Sequence, residues 1–207
     1  MTVLRKARFI VFDIGNVVCF GDETICRGLL YNCGVPFLNT AEIYSCHDYY
    51  EFLRGRISSQ EFHIALVRKY LGYPASYEQV HHAFKMAMYA ADQGVVDILS
   101  RLDGQSLAFL TDTNVWQDER MRELVALEKY ADPSRIFKSH EMGMVKTDEM
   151  CFPYVLSQLG DKAEEVLLID DSSEKVNTAK QHGWQTHRFV NSGELSGYLK
   201  NIGYPVP

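Results

Sequence analysis

The chain has 207 residues, of which 46% are hydrophobic and 23% charged, and its formal net charge is −6 at pH 7. This length accommodates one large domain or one domain with an insert. The negative charge argues against non-specific binding to nucleic acid, and no apolar run approaches the length of a membrane span. We therefore expect neither nucleic acid nor membrane as a partner.

The cysteines and the first residues bear on the compartment. Five cysteines are an odd number, and they lack the spacing of metal ligands. The first ten residues lack the long apolar core of a signal peptide. We therefore expect reduced thiols in a cytoplasmic protein. The choice between a monomer and a homodimer stays open.

The first predicted strand is the apolar run FIVF, which begins at Phe9 and leads directly into Asp13. A short continuous apolar run with β-branched residues is typical of a strand buried on both faces. Gly15 and Asn16 follow, and these residue types favour a sharp turn that lets the backbone approach a ligand.

Residues 21–91 are predicted to be helical, without a strand. Capping boxes at Ser58–Glu61 and Ser76–Gln79 mark two helix starts, and Gly34 with Pro36 is predicted to end the first helix. Apolar spacing together with these signals predicts four helices, at about residues 25–33, 39–54, 58–71 and 76–88.

From residue 92 onward, strands and helices alternate. The strand segments are SLAFLT, RIFKSH, EVLLIDD and QTHRFV, and helices are predicted at about 93–103, 115–130, 147–159 and 173–182, with another at the end of the chain. This alternation predicts an α/β fold, a doubly wound parallel-sheet (Rossmann-like) core of residues 1–20 and 92–207. Residues 21–91 are predicted to be an inserted helical-bundle cap above the carboxyl edge of the sheet.

Polar side chains follow the predicted strands where each strand ends: Asp13, Thr111 with Asp112, and the pair Asp170 and Asp171. The carboxyl ends of parallel strands meet at one edge, so these groups are expected to lie close together. Carboxylates in such a cluster repel one another. A hard divalent cation such as Mg²⁺, which prefers oxygen ligands, would relieve that repulsion.

A phosphate site is predicted at the same edge. Thr111 offers a hydroxyl, the backbone N–H groups after it precede a helix, where an anion is favoured, and Lys146 offers a compact positive charge. A carboxylate in such a site is a natural nucleophile, because carboxylates form acyl-phosphates.

The segments FDIGNVV, FLTDTN, MVKTD and LLIDDSSEKVNTA, in this order, resemble the four motifs of the haloacid dehalogenase (HAD) superfamily. Within it, the chain resembles a group of small bacterial sugar-phosphate phosphatases similar to α-D-glucose-1-phosphatase. The Asp-x-Gly-Asn turn, the Thr and Asn of the second motif and the segment LRGRISSQEF carry this likeness.

The resemblance implies a Mg²⁺-dependent phosphatase that acts on a small phosphorylated metabolite, with a sugar phosphate favoured. Asp13 would attack phosphorus and form an aspartyl-phosphate. Mg²⁺ would be held by Asp13, the carbonyl of Gly15 and Asp171, with Asp170 a ligand or a partner of the ligands. Thr111 and the N–H of Asp112 would bind phosphoryl oxygens, Lys146 would pair with Asp13 and the phosphate, and Asn16 is a further candidate phosphate-binding residue.

The chain departs from the family pattern at three positions. Gly15 stands where most of these phosphatases carry a second Asp, the general acid and base. Asp112 stands where the family has Asn, which adds negative charge unless Asp112 pairs with a cation. Thr147 stands where a Pro is common, and Thr is a good helix N-cap.

Two alternative functions remain. A haloacid dehalogenase would use the same Asp nucleophile on carbon, but that chemistry needs no acidic pair. A non-catalytic phosphate-binding or regulatory protein of the same fold is consistent with Gly15 and Asp112. In the cap, His47, Tyr49, Tyr50, Arg54 and Arg56 are weaker candidates to line the substrate entrance. A solvated interhelical turn is the better account of Arg54 and Arg56, and helix core is an alternative for the tyrosines.

Overall fold

The computed structural model describes residues 6–35 and 39–206. Pro36 and the first five residues of the predicted core therefore lie outside the described residues. The strands are β1 (Phe9–Phe12), β2 (Cys19–Gly21), β3 (Met88–Ala91), β4 (Leu107–Thr111), β5 (Ile136–Lys138), β6 (Val166–Asp170) and β7 (Gln185–Arg188). The α-helices are α1 (Glu23–Asn32), α2 (Thr40–Ser45), α3 (His47–Leu53), α4 (Ser59–Leu66), α5 (Tyr77–Met86), α6 (Gln93–Leu99), α7 (Val115–Leu124), α8 (Ser139–Met142), α9 (Cys151–Leu159), α10 (Ser173–Gln181) and α11 (Ser192–Asn201).

The main sheet has the order β5-β4-β1-β6-β7, and every neighbouring pair is parallel. Strand β1 lies at the centre, between β4 and β6. Ile10 and Phe12 face one apolar cluster, whereas Phe9 and Val11 face another on the opposite side. The prediction of a doubly wound parallel sheet is confirmed. Strands β1, β4 and β6 are buried along their whole length, and their ends lie side by side.

The helices between β2 and β3 form a third apolar cluster, rich in aromatic rings. Trp116, in the first turn of α7, enters this cluster. Its ring centroid lies 4.9 Å from that of Phe52 and 5.7 Å from that of Phe62, and its indole N–H donates a hydrogen bond to the Tyr77 hydroxyl at 3.0 Å. Trp116 therefore packs the helical segment against a helix that follows the main sheet.

The prediction that residues 21–91 contain no strand is wrong. Strand β3, Met88–Ala91, pairs antiparallel with β2. These two short strands connect the main sheet to the helices between them: the chain leaves the sheet region through β2 and returns through β3. Their pairing brings together residues some 70 positions apart, so local periodicity gives no signal for it. The division into a core of residues 1–20 and 92–207 and a cap of 21–91 stays a prediction.

Several predicted helices end or break earlier than expected. The helix predicted over 39–54 divides at Cys46, whose backbone is extended (ψ 158°) and whose thiol caps α3 by accepting from the Tyr49 N–H. The helix predicted over 115–130 ends at Leu124, because Val125 is extended (φ −144°). The helix predicted from 147 begins at Cys151, so Thr147 is not its N-cap. None of the helices in the described ranges has the length and apolar character to cross a bilayer.

The carboxyl end of α3 is held tightly against α8 and the loop that follows α8. The Ser139 hydroxyl lies 2.6 Å from the Leu53 carbonyl oxygen, to which it donates. Arg54 donates through Nε to Asp148 at 2.8 Å. Gly55 has φ +65°, and a Cβ atom added there would overlap the carbonyl oxygen of His140. Gly55 therefore permits both a left-handed turn and a close backbone approach.

We predict that Gly55→Ala destabilises the protein more than Gly72→Ala. Gly72 has a similar φ of +59° but open space around its missing Cβ, so its substitution costs the left-handed conformation alone, about 1–2 kcal/mol. The overlap at Gly55 should add about 1–3 kcal/mol. Urea unfolding of both variants measures the difference, and equal losses would contradict this close approach.

Candidate active site

Asp13 follows the central strand and is 4% exposed. Its backbone N–H donates to the Ile169 carbonyl oxygen at 2.8 Å, which continues the pairing of β1 with β6. One carboxylate oxygen, Oδ1, accepts a hydrogen bond from the Ile14 N–H at 2.7 Å. The carboxylate is thus fixed at the carboxyl end of the sheet.

Lys146 is fully buried and lies between two carboxylates. Its Nζ is 2.8 Å from Asp13 Oδ1 and 2.6 Å from Asp170 Oδ2. Burial acts to lower the pKa of Lys146, but the charges of Asp13 and other nearby carboxylates raise it by more. The pKa of Lys146 therefore lies above its usual value. Lys146 therefore stays charged. Its ammonium group joins two carboxylates, Asp13 after β1 and Asp170 at the end of β6.

The three carboxylates Asp13, Asp170 and Asp171 offer oxygen atoms that all lie within 4.8 Å of one another. Burial, with the charge of Asp170, raises the pKa of Asp171. Burial raises the pKa of Asp13 to about 7, and the Asp170 charge adds to that effect while Lys146 opposes it. The cluster thus carries more negative charge than one lysine compensates, and its hard oxygen donors suit Mg²⁺.

Asp112 and Thr111 lie beside this cluster, at the end of β4. Thr111 is 2% exposed and borders the cleft above the sheet. Asp112 accepts the Lys146 backbone N–H at 2.9 Å and pairs with Lys175 at 3.0 Å. The extra negative charge expected at Asp112 is therefore matched by a cation, Lys175, which the sequence reasoning missed. Its position in the first turn of the helix after the acidic pair was the available signal.

The backbone amides after Asp112 are occupied within the protein. The Thr113 N–H donates to the Ser139 hydroxyl at 2.9 Å, and Asn114 caps α7 by accepting from the Trp116 and Gln117 N–H groups at 3.1 Å. These N–H groups are therefore not available to an anion. Of the anion site expected at the start of this helix, the groups of Thr111 and Asp112 remain as candidates.

Gly15 and Asn16 form the turn between β1 and β2, and both border the cleft. Asn16 has a left-handed backbone (φ 57°). Its Oδ1 accepts the Gly21 N–H at 2.9 Å, and its N–H donates to the Cys19 carbonyl oxygen at 2.7 Å. The side chain of Asn16 therefore holds the turn, and phosphate binding by Asn16 stays a prediction.

The cleft has a volume of about 600 Å³, within the range of small-molecule sites. Its outer wall comes from the helical segment and from α7 and α10, through Asp22, Glu23, Tyr44, Tyr49, Tyr50, Leu53, Gln117 and Glu174. Of the weaker candidates, Tyr49 and Tyr50 lie in this wall. Arg54 instead binds Asp148, Arg56 pairs with Glu51 at 3.3 Å, and His47 is exposed on α3 away from the described lining.

We predict that Lys146→Met lowers the free energy of unfolding by about 3–5 kcal/mol at pH 8 in EDTA, because it leaves buried carboxylates unpaired. The loss should shrink towards pH 5, since the folded protein can then protonate carboxylates whose pKa values are raised. Urea unfolding at both pH values measures this, with the exposed Lys200→Met in α11 as the control. A loss that grows at low pH would contradict the assigned charges.

No protein-family model matches the chain. A drimenol cyclase, drtB, from Aspergillus calidoustus is 25% identical over 157 residues, which cover 73% of this chain and 29% of that protein. The chain thus spans under a third of the length of this curated relative.

Solved structures resemble the whole fold. The predicted HAD-like family hydrolase from Porphyromonas gingivalis has a TM-score of 0.79 and 25% identity, over 97% of this chain and 98% of that one. The HAD family enzyme BT-2542 from Bacteroides thetaiotaomicron, in complex with magnesium and inorganic phosphate, has a TM-score of 0.79 and 21% identity over 90% and 95%. L-2-haloacid dehalogenase from Xanthobacter autotrophicus has a TM-score of 0.64 and 18% identity over 97% and 85%. The chain therefore has the fold of haloacid dehalogenase family enzymes.

Proposed function

We propose that this protein is a Mg²⁺-dependent phosphoric monoester hydrolase for a small phosphorylated metabolite. The observation that carries the proposal is the buried Asp13 carboxylate at the base of an open cleft, with Lys146 at 2.8 Å and an acidic pair beside it. A carboxylate held by a cation, next to further oxygen ligands, is suited to attack on phosphorus.

The proposed metal ligands are Asp13, Asp170 and Asp171, together with the backbone carbonyl of Gly15. Bound there, Mg²⁺ would neutralise carboxylate charge and stabilise negative charge on the phosphoryl oxygens. BT-2542, which shares the fold, was crystallised with magnesium and inorganic phosphate, and that complex supports the proposal.

In the proposed reaction, a carboxylate oxygen of Asp13 forms a bond to phosphorus while the bond from phosphorus to the ester oxygen breaks. The departing oxygen takes a proton from solvent. A water molecule then attacks the aspartyl-phosphate, and cleavage of that acyl-phosphate releases phosphate and restores Asp13. Lys146, the Thr111 hydroxyl and the Asp112 N–H are the proposed groups that offset charge on the phosphoryl oxygens.

Gly15 provides no acid for the leaving oxygen. The proposal therefore favours a leaving group that departs readily, such as the anomeric oxygen of a sugar phosphate. The wall of the cleft supports a hydroxyl-rich substrate, since Asp22, Glu23 and Glu174 offer carboxylates and Tyr49 offers a hydroxyl. The segment of α3 and its neighbours is proposed to shape this leaving-group pocket as a cap.

Two alternatives are kept because single observations favour them. A haloacid dehalogenase shares the fold, but the acidic pair has no evident purpose in metal-free attack on carbon. A non-catalytic phosphate-binding or regulatory protein would account for Gly15, but it would leave the buried Asp13–Lys146–Asp170 arrangement unexplained.

We predict that phosphate release from a panel of sugar phosphates requires Mg²⁺ and is lost in EDTA. Asp13→Asn should lower turnover by a factor on the order of 10⁴ or more, because the nucleophile is removed. The exposed Asp97→Asn in α6 serves as the matched control and should retain turnover. Metal-independent halide release from a 2-haloacid would favour the dehalogenase, and intact turnover in Asp13→Asn would exclude the covalent mechanism.

We predict that Gly15→Asp raises turnover of an alkyl phosphate, because a Cβ atom at position 15 meets nothing within 4 Å and the new carboxyl group can donate a proton. General acid catalysis is typically worth about 10²–10⁴-fold. The gain should be small for p-nitrophenyl phosphate, whose leaving group needs no proton. Gly15→Asn, equal in size but unable to transfer a proton, is the control, and an equal gain in both variants would refute the explanation.

A further inference from the structure

Lys175 and Asp112 form a second ion pair in the cleft, separate from the one at Lys146. Lys175 Nζ lies 3.0 Å from Asp112 Oδ2, and the two side chains are 23% and 13% exposed. Both residues border the cleft beside Asp13 and Thr111. Lys175 therefore places a partly exposed, positively charged side chain beside the proposed substrate position.

The electrostatic surroundings of Lys175 extend beyond its partner. Burial acts to lower the pKa of Lys175, but the carboxylates of Asp112, Asp13 and Asp170 raise it well above its usual value. Lys175 is therefore charged throughout the physiological range, and its charge acts on Asp13 as well as on Asp112.

The Asp112 carboxylate is fixed by a backbone contact that is independent of Lys175. Its Oδ1 accepts the backbone N–H of Lys146 at 2.9 Å, while its Oδ2 faces Lys175. The same carboxylate thus links the loop that carries Lys146 to the first turn of α10. A lysine held on one side by a fixed carboxylate retains further N–H donors for another acceptor.

The balance of formal charges around the cleft also supports a role for Lys175 in the site. Four carboxylates follow the three central strands, and two lysines face them; these residues are Asp13, Asp112, Asp170, Asp171, Lys146 and Lys175. Their formal charge of about −2 matches one divalent cation. Without Lys175, the metal-bound site would remain negative before a phosphate dianion arrives.

We propose that Lys175 is a second phosphate-binding residue, positioned by Asp112, and that the two residues act as one charge-compensated pair. This inference rests on the proposed function and adds a residue to it. Lys175 would contact the phosphoryl group directly, whereas Asp112 would act through Lys175. The aspartate at position 112 is then tolerated beside a phosphate because Lys175 cancels its charge.

The test measures binding of inorganic phosphate by calorimetry in MgCl₂, which needs no turnover. Lys175→Met should weaken phosphate binding about 10- to 100-fold, the usual range for a hydrogen bond to a charged group. Lys175→Arg should stay within a few-fold of the unmodified protein. Asp112→Asn should bind phosphate at least as tightly as the unmodified protein.

The double variant Lys175→Met/Asp112→Asn separates a phosphate contact from a structural pair. It should bind phosphate about tenfold more tightly than Lys175→Met, because the unpaired carboxylate beside the phosphate is gone. It should still bind phosphate more weakly than Asp112→Asn alone. Lys180→Met, an exposed lysine of the same helix, is the matched control and should bind phosphate normally.

Each outcome supports or overturns the inference. Unchanged phosphate affinity in Lys175→Met would overturn it while leaving the proposed function intact. Equal affinity in the double variant and in Asp112→Asn would show that Lys175 serves only to neutralise Asp112, and would overturn direct contact. Absence of phosphate binding by the unmodified protein in MgCl₂ would refute the proposed function and this inference together.

Discussion

The buried contact of Lys146 with Asp13 and Asp170 is the interaction on which the site depends. Carboxylates at the ends of adjacent parallel strands lie too close to remain charged without a cation. Lys146 supplies one positive charge within 2.8 Å of both. A buried ion pair contributes little net stability, so we attribute this arrangement to the proposed function, in which Asp13 is held in place as the nucleophile.

The excess negative charge that remains explains the rest of the site. Asp171 and Asp112 each add a carboxylate that Lys146 cannot balance. The first shares a cluster with Asp13 and Asp170 that suits a divalent cation, and the second has its own lysine in α10. Under the proposed function, this arrangement would suit a metal ion together with the negatively charged oxygen atoms of a phosphate ester.

The helical segment closes the cleft from above and is attached firmly at one side. The end of α3 is fixed by Ser139, Asp148 and the close approach at Gly55. Trp116 also fills the aromatic cluster of that segment. The tyrosines of α2 and α3 line the cleft from this attached segment, and the proposed function assigns them to the leaving-group pocket.

The sequence by itself determined the parallel sheet and the convergence of the candidate residues, because apolar runs that end in Asp13, Thr111 and Asp170 predict strands whose carboxyl ends share one edge. Local patterns carried that information. The tertiary structure alone decided the pairing of β2 with β3, the division of the helix at Cys46 and the partner of Asp112. The first and third of these depend on groups that are distant in sequence. The second depends on the Cys46 thiol, which caps the start of α3 and so competes with continuation of the preceding helix. Lys175 is the clearest case: its contact with Asp112 joins residues 63 positions apart, and only the fold brings them to 3.0 Å.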